Sequence, residues 1–311
     1  MRAVGLLTFG GPEVLQVIDL PEIHAGPGQV RLRNYAATVN PTDTFLRNGS
    51  RAEQLKDIPP PYVPGMEAAG VVDEVGAGVT GLKVGDEVLA IVVPKGSNGA
   101  YREQLVLDAR SVVLAPNGKS HAEAATLPMN GLTAQQTLDK LALKPGQSIA
   151  VTGAAGAYGG YVIQLSKASG LAVLADASEA DEALVKSLGA DIVVRRGDDV
   201  AQRIRQHFPG GVDGLADGAV LKEKVIPAVK DGGGFASVRG YQGVPTRDIR
   251  FSTISVGAYA FEHDKLDRLR QLVNEGKITL RVAATYKPER APEAHRRLEA
   301  RGTRGRIVIT F

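Results

Sequence analysis

The stretch "SIAVTGAAGAYGGYVIQLSKASGLAVLAD", residues 148–176, decides the fold. It begins as an apolar run, passes through glycine and alanine, and continues with helical spacing. The dinucleotide fingerprint Gly-x-Gly-x-x-Gly has three glycines, and in that register this chain has Ala154, Gly156 and Gly159, with Gly153 one position earlier. The stretch therefore predicts a strand, a tight turn and a helix, and it raises the question of whether a turn without the first glycine holds a dinucleotide.

Such a turn must reverse sharply, admit a pyrophosphate close to its backbone, and let the helix pack on the strand. Gly156 meets the second requirement and Gly159 the third, while alanines keep the loop narrow and Gly153 adds flexibility. The N-terminus of the helix offers N–H groups and a positive dipole end to phosphate. We therefore predict coenzyme contacts at Ala154, Gly156, Ala157, Tyr158 and Gly159.

A second strand ends at Asp176, 20 residues after Gly156, where an acid suits the ribose hydroxyls of an adenosine. Asp176 and Asp181 would repel a 2′-phosphate. Arg195 and Arg196 end the third strand and could pair with that phosphate, although a solvated loop explains both arginines slightly better. The balance predicts a slight preference for NADH over NADPH.

The composition excludes several classes of protein. The 311 residues suggest two domains, and 43% hydrophobic residues supply ordinary cores. A net charge of +3 is too small to predict nucleic-acid binding, and the absence of cysteine excludes disulfides and Cys-ligated zinc. Because the N-terminal residues form neither a signal peptide nor a membrane span, we expect a soluble cytoplasmic protein without a membrane partner.

The hydrophobic period changes along the chain. Up to about residue 115, short alternating runs between turn signals predict an antiparallel β domain. Strand and helix patterns then alternate as far as a last apolar run at 254–258, which predicts a parallel sheet covered by helices. A helix near 263–275 precedes a strand–helix–strand tail that should return to the first domain. The predicted domains are 1–120 with 277–311, and 121–276.

Five segments carry a resemblance that spans nearly the whole chain: TVNPTDTFLRNG (38–49), VPGMEAAGVVDEVGAGVTGLKVGDEV (63–88), LPMNGLTAQQTL (127–138), LKPGQSIAVTGAAGAYGG (143–160) and residues 276–311. Together they resemble the medium-chain dehydrogenase/reductase superfamily, in its zinc-independent branch of quinone oxidoreductases and zeta-crystallin-like proteins. The resemblance implies a GroES-like antiparallel β domain joined to a doubly wound parallel-sheet (Rossmann) domain, an NAD(P)H coenzyme and a homodimer.

The departures from the superfamily pattern concern zinc. Met66 stands where zinc-dependent relatives have histidine, and the cysteine expected near residue 40 is absent. The five histidines show no ligand spacing, and a thioether beside Glu67 does not complete a tetrahedral zinc site. We therefore predict no metal and interpret Met66 as a core residue.

By resemblance, Asn40 lies near the nicotinamide and Asp43 at or near the cleft. Asn40 and Asp43 are therefore the candidate catalytic residues, with Asn40 a possible donor to a substrate carbonyl and also a coenzyme contact. The residues themselves leave another interpretation open, since Asn40 and Asp43 could simply cap a short helix. Thr133 resembles the position that contacts the nicotinamide, although a threonine inside a helix also bonds its own backbone.

The remaining implied coenzyme contacts lie at the ends of later strands. The resemblance places the backbone of a strand at 254–260 against the nicotinamide carboxamide and pairs that strand across a dimer interface; an ordinary edge strand is the alternative. The implied contacts are Ala177, Ser178, Arg196, Gly240, Tyr241, Gly257 and Ala258.

Without a metal, the expected reaction needs little polarisation of the acceptor. Direct hydride transfer from nicotinamide C4 to a quinone fits, because the coenzyme carries the chemistry and the protein orients it. Reduction of an enoyl or alkenal substrate is a second hypothesis. A low-turnover NAD(P)H- or RNA-binding protein is a third, although no basic stripe interleaved with aromatic residues supports an RNA role.

Overall fold

The computed structural model describes all 311 residues of the chain. The strands are β1 (Arg2–Gly5), β2 (Gln16–Asp19), β3 (Gln29–Thr38), β4 (Glu67–Val75), β5 (Glu87–Ile91), β6 (Gln104–Asp108), β7 (Val112–Leu114), β8 (Ser148–Thr152), β9 (Ala172–Ala177), β10 (Ile192–Arg195), β11 (Val212–Asp217), β12 (Val229–Ser237), β13 (Arg250–Thr253), β14 (Val282–Tyr286) and β15 (Arg306–Thr310). The α-helices are α1 (Pro41–Arg47), α2 (His121–Ala124), α3 (Pro128–Leu141), α4 (Ala157–Ala168), α5 (Glu182–Ser187), α6 (Val200–His207), α7 (His263–Asn274) and α8 (Ala291–Glu299). None of the helices combines the length and apolar character needed to cross a membrane.

The chain forms two compact units. The first contains Met1–Met129, Ala260–Asn274 and Leu280–Phe311, and the second contains Asn130–Tyr259 and Glu275–Thr279. The predicted domain boundaries at residues 120 and 277 stay a prediction. The compact units divide the chain at other residues, and the first unit includes α7.

The first unit is built on a sheet around β3 in which every pair is antiparallel except β14 with β15, which is parallel. The strand order is β14-β15-β3-β4-β5-β7, and β6 also pairs with β3. Alternate β3 side chains such as Val30 and Leu32 enter the core of this unit, as the period of two predicts. The C-terminal β15 pairs antiparallel with β3, with Val308 opposite Thr38, which confirms that the tail returns to the first domain.

The second unit is built on six strands in the order β10-β9-β8-β11-β12-β13, and every neighbouring pair is parallel. Numbered within this unit, the order is 3-2-1-4-5-6, the doubly wound dinucleotide-binding order. The direction of winding reverses between β8 and β11, where the carboxyl ends of strands leave a crevice for ligands. The predicted α/β fold class is confirmed.

One predicted strand is wrong. The apolar run 254–258 follows β13 instead of forming it, and residues Val256–Tyr259 make a single 3₁₀ turn. Two hydrogen bonds explain the difference: the Ser255 N–H donates to Gln136 Oε1 at 2.8 Å, and the Ala258 N–H donates to the Ser255 carbonyl at 3.1 Å. Both backbone groups are thereby diverted from a sheet ladder. The segment that was expected to pair across a dimer interface is consequently not a strand.

Candidate active site

The glycine turn between β8 and α4 takes its left-handed residue at Gly153, with φ +68°. Ala154 follows outside the left-handed region and is fully buried. The fingerprint therefore does not need a glycine at 154, because the sharp reversal occurs one residue earlier. Gly156 precedes the first helical residue with extended backbone (φ −69°, ψ 172°), and an added Cβ there would meet only the Gly153 carbonyl oxygen, at 3.1 Å.

Gly159 marks the place where α4 lies closest to the turn. A Cβ at Gly159 would lie 2.5 Å from the Gly153 carbonyl oxygen and 2.8 Å from the Ala154 Cα. Tyr158 is buried beside it, and its hydroxyl lies 2.8 Å from Thr137 Oγ1. Because Thr137 donates its one hydroxyl hydrogen to the Thr133 carbonyl at 2.9 Å, the Tyr158 hydroxyl donates to Thr137. The side chain of Tyr158 thus faces the protein, and the first turn of α4 can offer a ligand only backbone N–H groups.

Asp176 lies under the same turn. It is buried at the end of β9, and its Oδ1 accepts the Ala154 N–H at 3.2 Å. Burial raises the pKa of this carboxyl, and the nearby Arg196 offsets only part of that rise. Arg196 is exposed, its N–H donates to the Ala177 carbonyl at 2.9 Å, and its guanidinium forms no ion pair within 4.0 Å. At Ser178, the residue that follows β9, the hydroxyl donates to Asp181 at 2.5 Å.

The other predicted coenzyme contacts occupy different surroundings in the second unit. Thr133 lies buried inside α3. Gly240 follows β12 with φ +76°, whereas the Tyr241 ring packs between Phe235 and Phe251 at centroid distances of 5.8 and 6.2 Å. The exposed residues Gly257 and Ala258 belong to the 3₁₀ turn. The half-buried tyrosine ring therefore packs against the core cluster, whereas Gly240, Gly257 and Ala258 are exposed.

The first unit holds a buried polar cluster around Glu67. Its carboxylate accepts from the Arg306 guanidinium, the Thr38 hydroxyl and the Met129 N–H, the last at 2.7 Å. Asn40 is fully buried in the same cluster: its Nδ2 donates to Glu67 at 3.2 Å, and its Oδ1 accepts from Arg306 at 2.7 Å. Its amide is therefore satisfied inside the protein. The direct donation by Asn40 to a substrate stays a prediction, and the geometry favours the capping interpretation.

Asp43 occupies the N3 position of α1 and supports that interpretation. Its Oδ2 accepts the Asn40 N–H at 2.8 Å, and its Oδ1 accepts the Gly65 N–H at 3.0 Å. Full burial nevertheless raises the pKa of Asp43 to about 6, since desolvation outweighs these donors. Asp43 thereby fixes the start of α1 to the Pro64-Gly65 turn, and its contact with a substrate stays a prediction.

A directional hydrogen-bond chain reaches Asp43 from α8. Arg47 Nη1 lies 3.3 Å from His295 Nδ1, and His295 Nε2 lies 3.3 Å from the Tyr101 hydroxyl. Because arginine can only donate, His295 Nδ1 accepts from Arg47, and His295 Nε2 carries the ring hydrogen and donates it to the Tyr101 oxygen. The Tyr101 hydroxyl in turn donates a hydrogen bond to Asp43 at 3.2 Å. Burial, with Arg47 beside it, lowers the pKa of His295 to about 3 and keeps the ring neutral.

The chain is similar to known proteins along nearly its whole length. The model of the alcohol dehydrogenase GroES-like domain matches residues 26–117, and that of the zinc-binding dehydrogenase matches residues 188–309. A 2-methylene-furan-3-one reductase of Solanum lycopersicum is 32% identical over 99% of this chain and 79% of its own length. This chain belongs to the medium-chain dehydrogenase/reductase superfamily. The resemblance seen in the sequence is thereby confirmed.

Two further members of the superfamily cover the whole chain. A quinone oxidoreductase of Pseudomonas aeruginosa is 30% identical over 99% of both chains. The crystal structure described as an NAD-dependent alcohol dehydrogenase is 33% identical, covers 100% of both chains and has a TM-score of 0.89. The superfamily fold therefore extends over the full chain.

The superfamily includes zinc enzymes, but the residues of this chain do not fit a tetrahedral zinc ion. The Met66 sulfur accepts the Thr42 hydroxyl at 2.9 Å, and Glu67 is held by the cationic Arg306. No group of three or more His, Cys, Asp and Glu side chains is arranged to hold a metal. A permanent guanidinium charge beside the one available carboxylate opposes a second cation there.

Sequence reasoning missed two features that shape these sites. Arg306 was not among the candidate residues, although a cation at a buried position of β15 requires an acid nearby. Asp217, the last residue of β11, was likewise not among the candidate residues. In both cases the sequence contained a signal. A charged residue occupies a position that the strand pattern assigns to the interior, where charges are rarely buried without a partner.

Proposed function

We propose that this protein is an NAD(P)H-dependent oxidoreductase that reduces a quinone or an α,β-unsaturated carbonyl compound without a metal ion. The observation that carries the proposal is the Gly153–Gly159 turn, located where the winding of a 3-2-1-4-5-6 parallel sheet reverses. The names of two relatives, a quinone oxidoreductase and a 2-methylene-furan-3-one reductase, support the class of acceptor.

When bound, the nicotinamide coenzyme supplies a hydride from its C4 atom. The chain's contribution is to bind and orient it: backbone N–H groups at the start of α4 face the pyrophosphate, and Gly156 leaves room for its approach. We propose that Asp176, Ala177, Ser178 and Arg196 surround the adenosine, and that Thr133, Gly240, Tyr241, Gly257 and Ala258 lie toward the nicotinamide. For Tyr241 the proposed contact is made by the backbone, because its ring is packed in the core.

Asn40 and Asp43 act as positioning residues in this proposal. Asn40 is fully buried, and Asp43 holds the N–H groups of Asn40 and Gly65. Their role is to fix the start of α1 and the chain next to Met66, so that a substrate carbonyl meets a preformed surface. Preformed polar surroundings stabilise developing charge without reorganisation at the moment of reaction.

The same cluster supports the proposal that the reaction requires no zinc. The Arg306 guanidinium occupies the carboxylate of Glu67, and its positive charge opposes the binding of a metal cation beside it. Quinones and conjugated carbonyls are already electrophilic, which suits a site that only positions and desolvates the reactants.

For the coenzyme, we propose use of both forms with a slight preference for NADH. The buried Asp176 places a negative charge under the adenosine side of the turn, which disfavours a 2′-phosphate. The unpaired, exposed Arg196 close to it acts in the opposite direction, and solvent screening limits its effect.

We further propose a cytoplasmic homodimer without nucleic-acid or membrane partners. The net charge of +3 gives little electrostatic attraction to polyanions. Light scattering should give twice the 32.7 kDa of one chain, whereas the mass of one chain would contradict the dimer.

The reaction is tested by mixing the protein with NADH and with NADPH separately, and then adding 1,2-naphthoquinone, a 2-alkenal or crotonyl-CoA. Absorbance of the reduced nicotinamide reports turnover. Oxidation driven by the quinone or the alkenal supports the proposal and ranks the two acceptor classes. Binding of either coenzyme without turnover on any acceptor would favour a binding protein instead.

A further inference from the structure

Asp217 joins the carboxyl ends of three neighbouring strands in the second unit. It is the last residue of β11 and is fully buried. Its Oδ1 accepts the hydroxyl hydrogen of Thr152 at 2.7 Å, and its Oδ2 lies 3.3 Å from the hydroxyl of Ser237. Thr152 and Ser237 are the register partners of Asp217 on β8 and β12. The hydrogen-bonded side chains of Thr152, Asp217 and Ser237 therefore cross the point where the winding of the sheet reverses.

The same carboxylate holds the loop that follows it. Oδ1 accepts the Leu221 N–H at 3.0 Å and Oδ2 the Lys222 N–H at 2.9 Å, while Thr152 Oγ1 accepts the Ala219 N–H at 3.2 Å. No arginine or lysine side chain lies within ion-pair distance of Asp217. The backbone N–H groups and hydroxyls that donate to its carboxylate therefore solvate its charge without help from a cation.

The loop is strained where Asp217 holds it. Val220 and Lys222 adopt left-handed backbone conformations, with φ +59° and +55°. A β-branched valine rarely adopts this region, and such residues persist only when the surroundings impose the conformation. The bonds from Leu221 and Lys222 to Asp217 are the constraint that the structure provides.

The loop is also packed directly against the glycine turn. A Cβ at Gly153 would lie 3.0 Å from the Ala219 nitrogen and from the Gly218 carbonyl carbon. A Cβ at Gly218 would lie 2.8 Å from the Tyr158 ring and 2.7 Å from the Thr152 carbonyl oxygen. The position of the loop thus determines the space available to the turn.

We propose that Asp217 is a positioning residue of the dinucleotide site: by holding residues 218–222 in their strained conformation, it fixes the shape of the Gly153–Gly159 turn for the coenzyme. The inference rests on the proposed coenzyme binding and adds to it the residue that preorganises the site. Asp217 itself makes no contact with the reacting atoms in this account.

Asp213 provides a matched control, because it lies on the same strand near its opposite end. It accepts the Ser148 N–H at 2.8 Å, the Ser148 hydroxyl at 2.7 Å and the Gln147 side-chain amide at 3.1 Å, and it also pairs with Lys230. Asp217→Asn and Asp213→Asn each replace an acceptor oxygen by an N–H donor that faces other donors. A purely structural role of Asp217 predicts that both variants lose stability and that they do not differ in coenzyme affinity.

The test measures NADH and NADPH dissociation constants by nicotinamide fluorescence, together with thermal unfolding, for both variants. We expect Asp217→Asn to weaken binding about tenfold or more, since hydrogen bonds to a charged group are lost. Asp213→Asn should change binding by less than about twofold while also lowering the melting temperature. Equal effects of the two variants on coenzyme affinity would overturn the proposal.

A second pair keeps the test decisive if Asp217→Asn does not fold. Thr152→Val removes the hydroxyl between Asp217 and Ala219, and Thr152→Ser retains it. Weakened coenzyme binding in the valine variant with recovery in the serine variant supports the proposal, whereas wild-type affinity in both refutes it. If the wild-type protein itself binds neither coenzyme, the proposed function fails and this inference fails with it, an outcome distinct from variants that merely match their controls.

Discussion

Substitution of Gly159 by alanine tests the packing of the glycine turn. Helix propensity alone favours alanine over glycine by about 1 kcal/mol inside a helix. The new Cβ would, however, lie 2.5 Å from the Gly153 carbonyl oxygen, 2.8 Å from the Ala154 Cα and 2.9 Å from the Gly153 carbonyl carbon. These are backbone atoms, which cannot rotate away, so the overpacking cost should reach about 3 kcal/mol. The net expectation is a loss of about 2 kcal/mol in the free energy of unfolding.

The assay is urea unfolding followed by circular dichroism, with thermal unfolding in parallel, where the melting temperature should fall by about 4–8 °C. Gly156→Ala is the control, because its Cβ would meet one oxygen at 3.1 Å and its φ of −69° suits any residue. It should cost less than about 1 kcal/mol and instead weaken coenzyme binding by obstructing the pyrophosphate. A Gly159→Ala protein more stable than the wild type would refute the packing argument.

Three other changes have defined outcomes. Asp43→Asn removes a carboxyl whose folded pKa is raised from 3.8 to about 6. Because the native state binds that proton more tightly, the wild type should lose about 2 kcal/mol relative to the variant as the pH rises from 4 to 6. Parallel urea curves across this range would contradict the buried titration. Asp176→Ser should raise the ratio of NADPH to NADH use in kcat/KM, and an unchanged ratio would show that Asp176 does not sense the adenosine. Arg306→Met leaves Glu67 buried without its cation and should cost about 3–5 kcal/mol in unfolding free energy; a loss below about 1 kcal/mol would mean that the carboxylate is solvated or protonated.

The strand and helix pattern was readable from the sequence wherever one period dominated. The alternation over 29–38 predicts β3, and the apolar runs at 149–151 and 172–175 predict β8 and β9. The run at 254–258 is also largely apolar but is not a strand, because the Ser255 N–H donates its hydrogen bond to the Gln136 side chain. A long-range side-chain bond of this kind leaves no trace in local periodicity.

The candidate site was predictable to a different degree in each unit. The strand, tight turn and helix over 148–168 were predicted from the sequence, but the left-handed residue of the turn is Gly153, one position before the fingerprint begins. The polar cluster in the first unit brings Asn40 and Arg306 together from opposite ends of the chain. Sequence alone could not show that pairing, because it depends on the return of β15 to β3.

Turnover by metal-depleted protein tests the central claim most directly. The protein is dialysed against a chelator, its metal content is determined by elemental analysis, and oxidation of NADH by 1,2-naphthoquinone and by a 2-alkenal is followed. The account predicts an undiminished rate with one of these acceptors at a negligible metal content, because the proposed hydride transfer from the nicotinamide requires no Lewis acid. Loss of turnover on chelation, with recovery when zinc is restored, would contradict it.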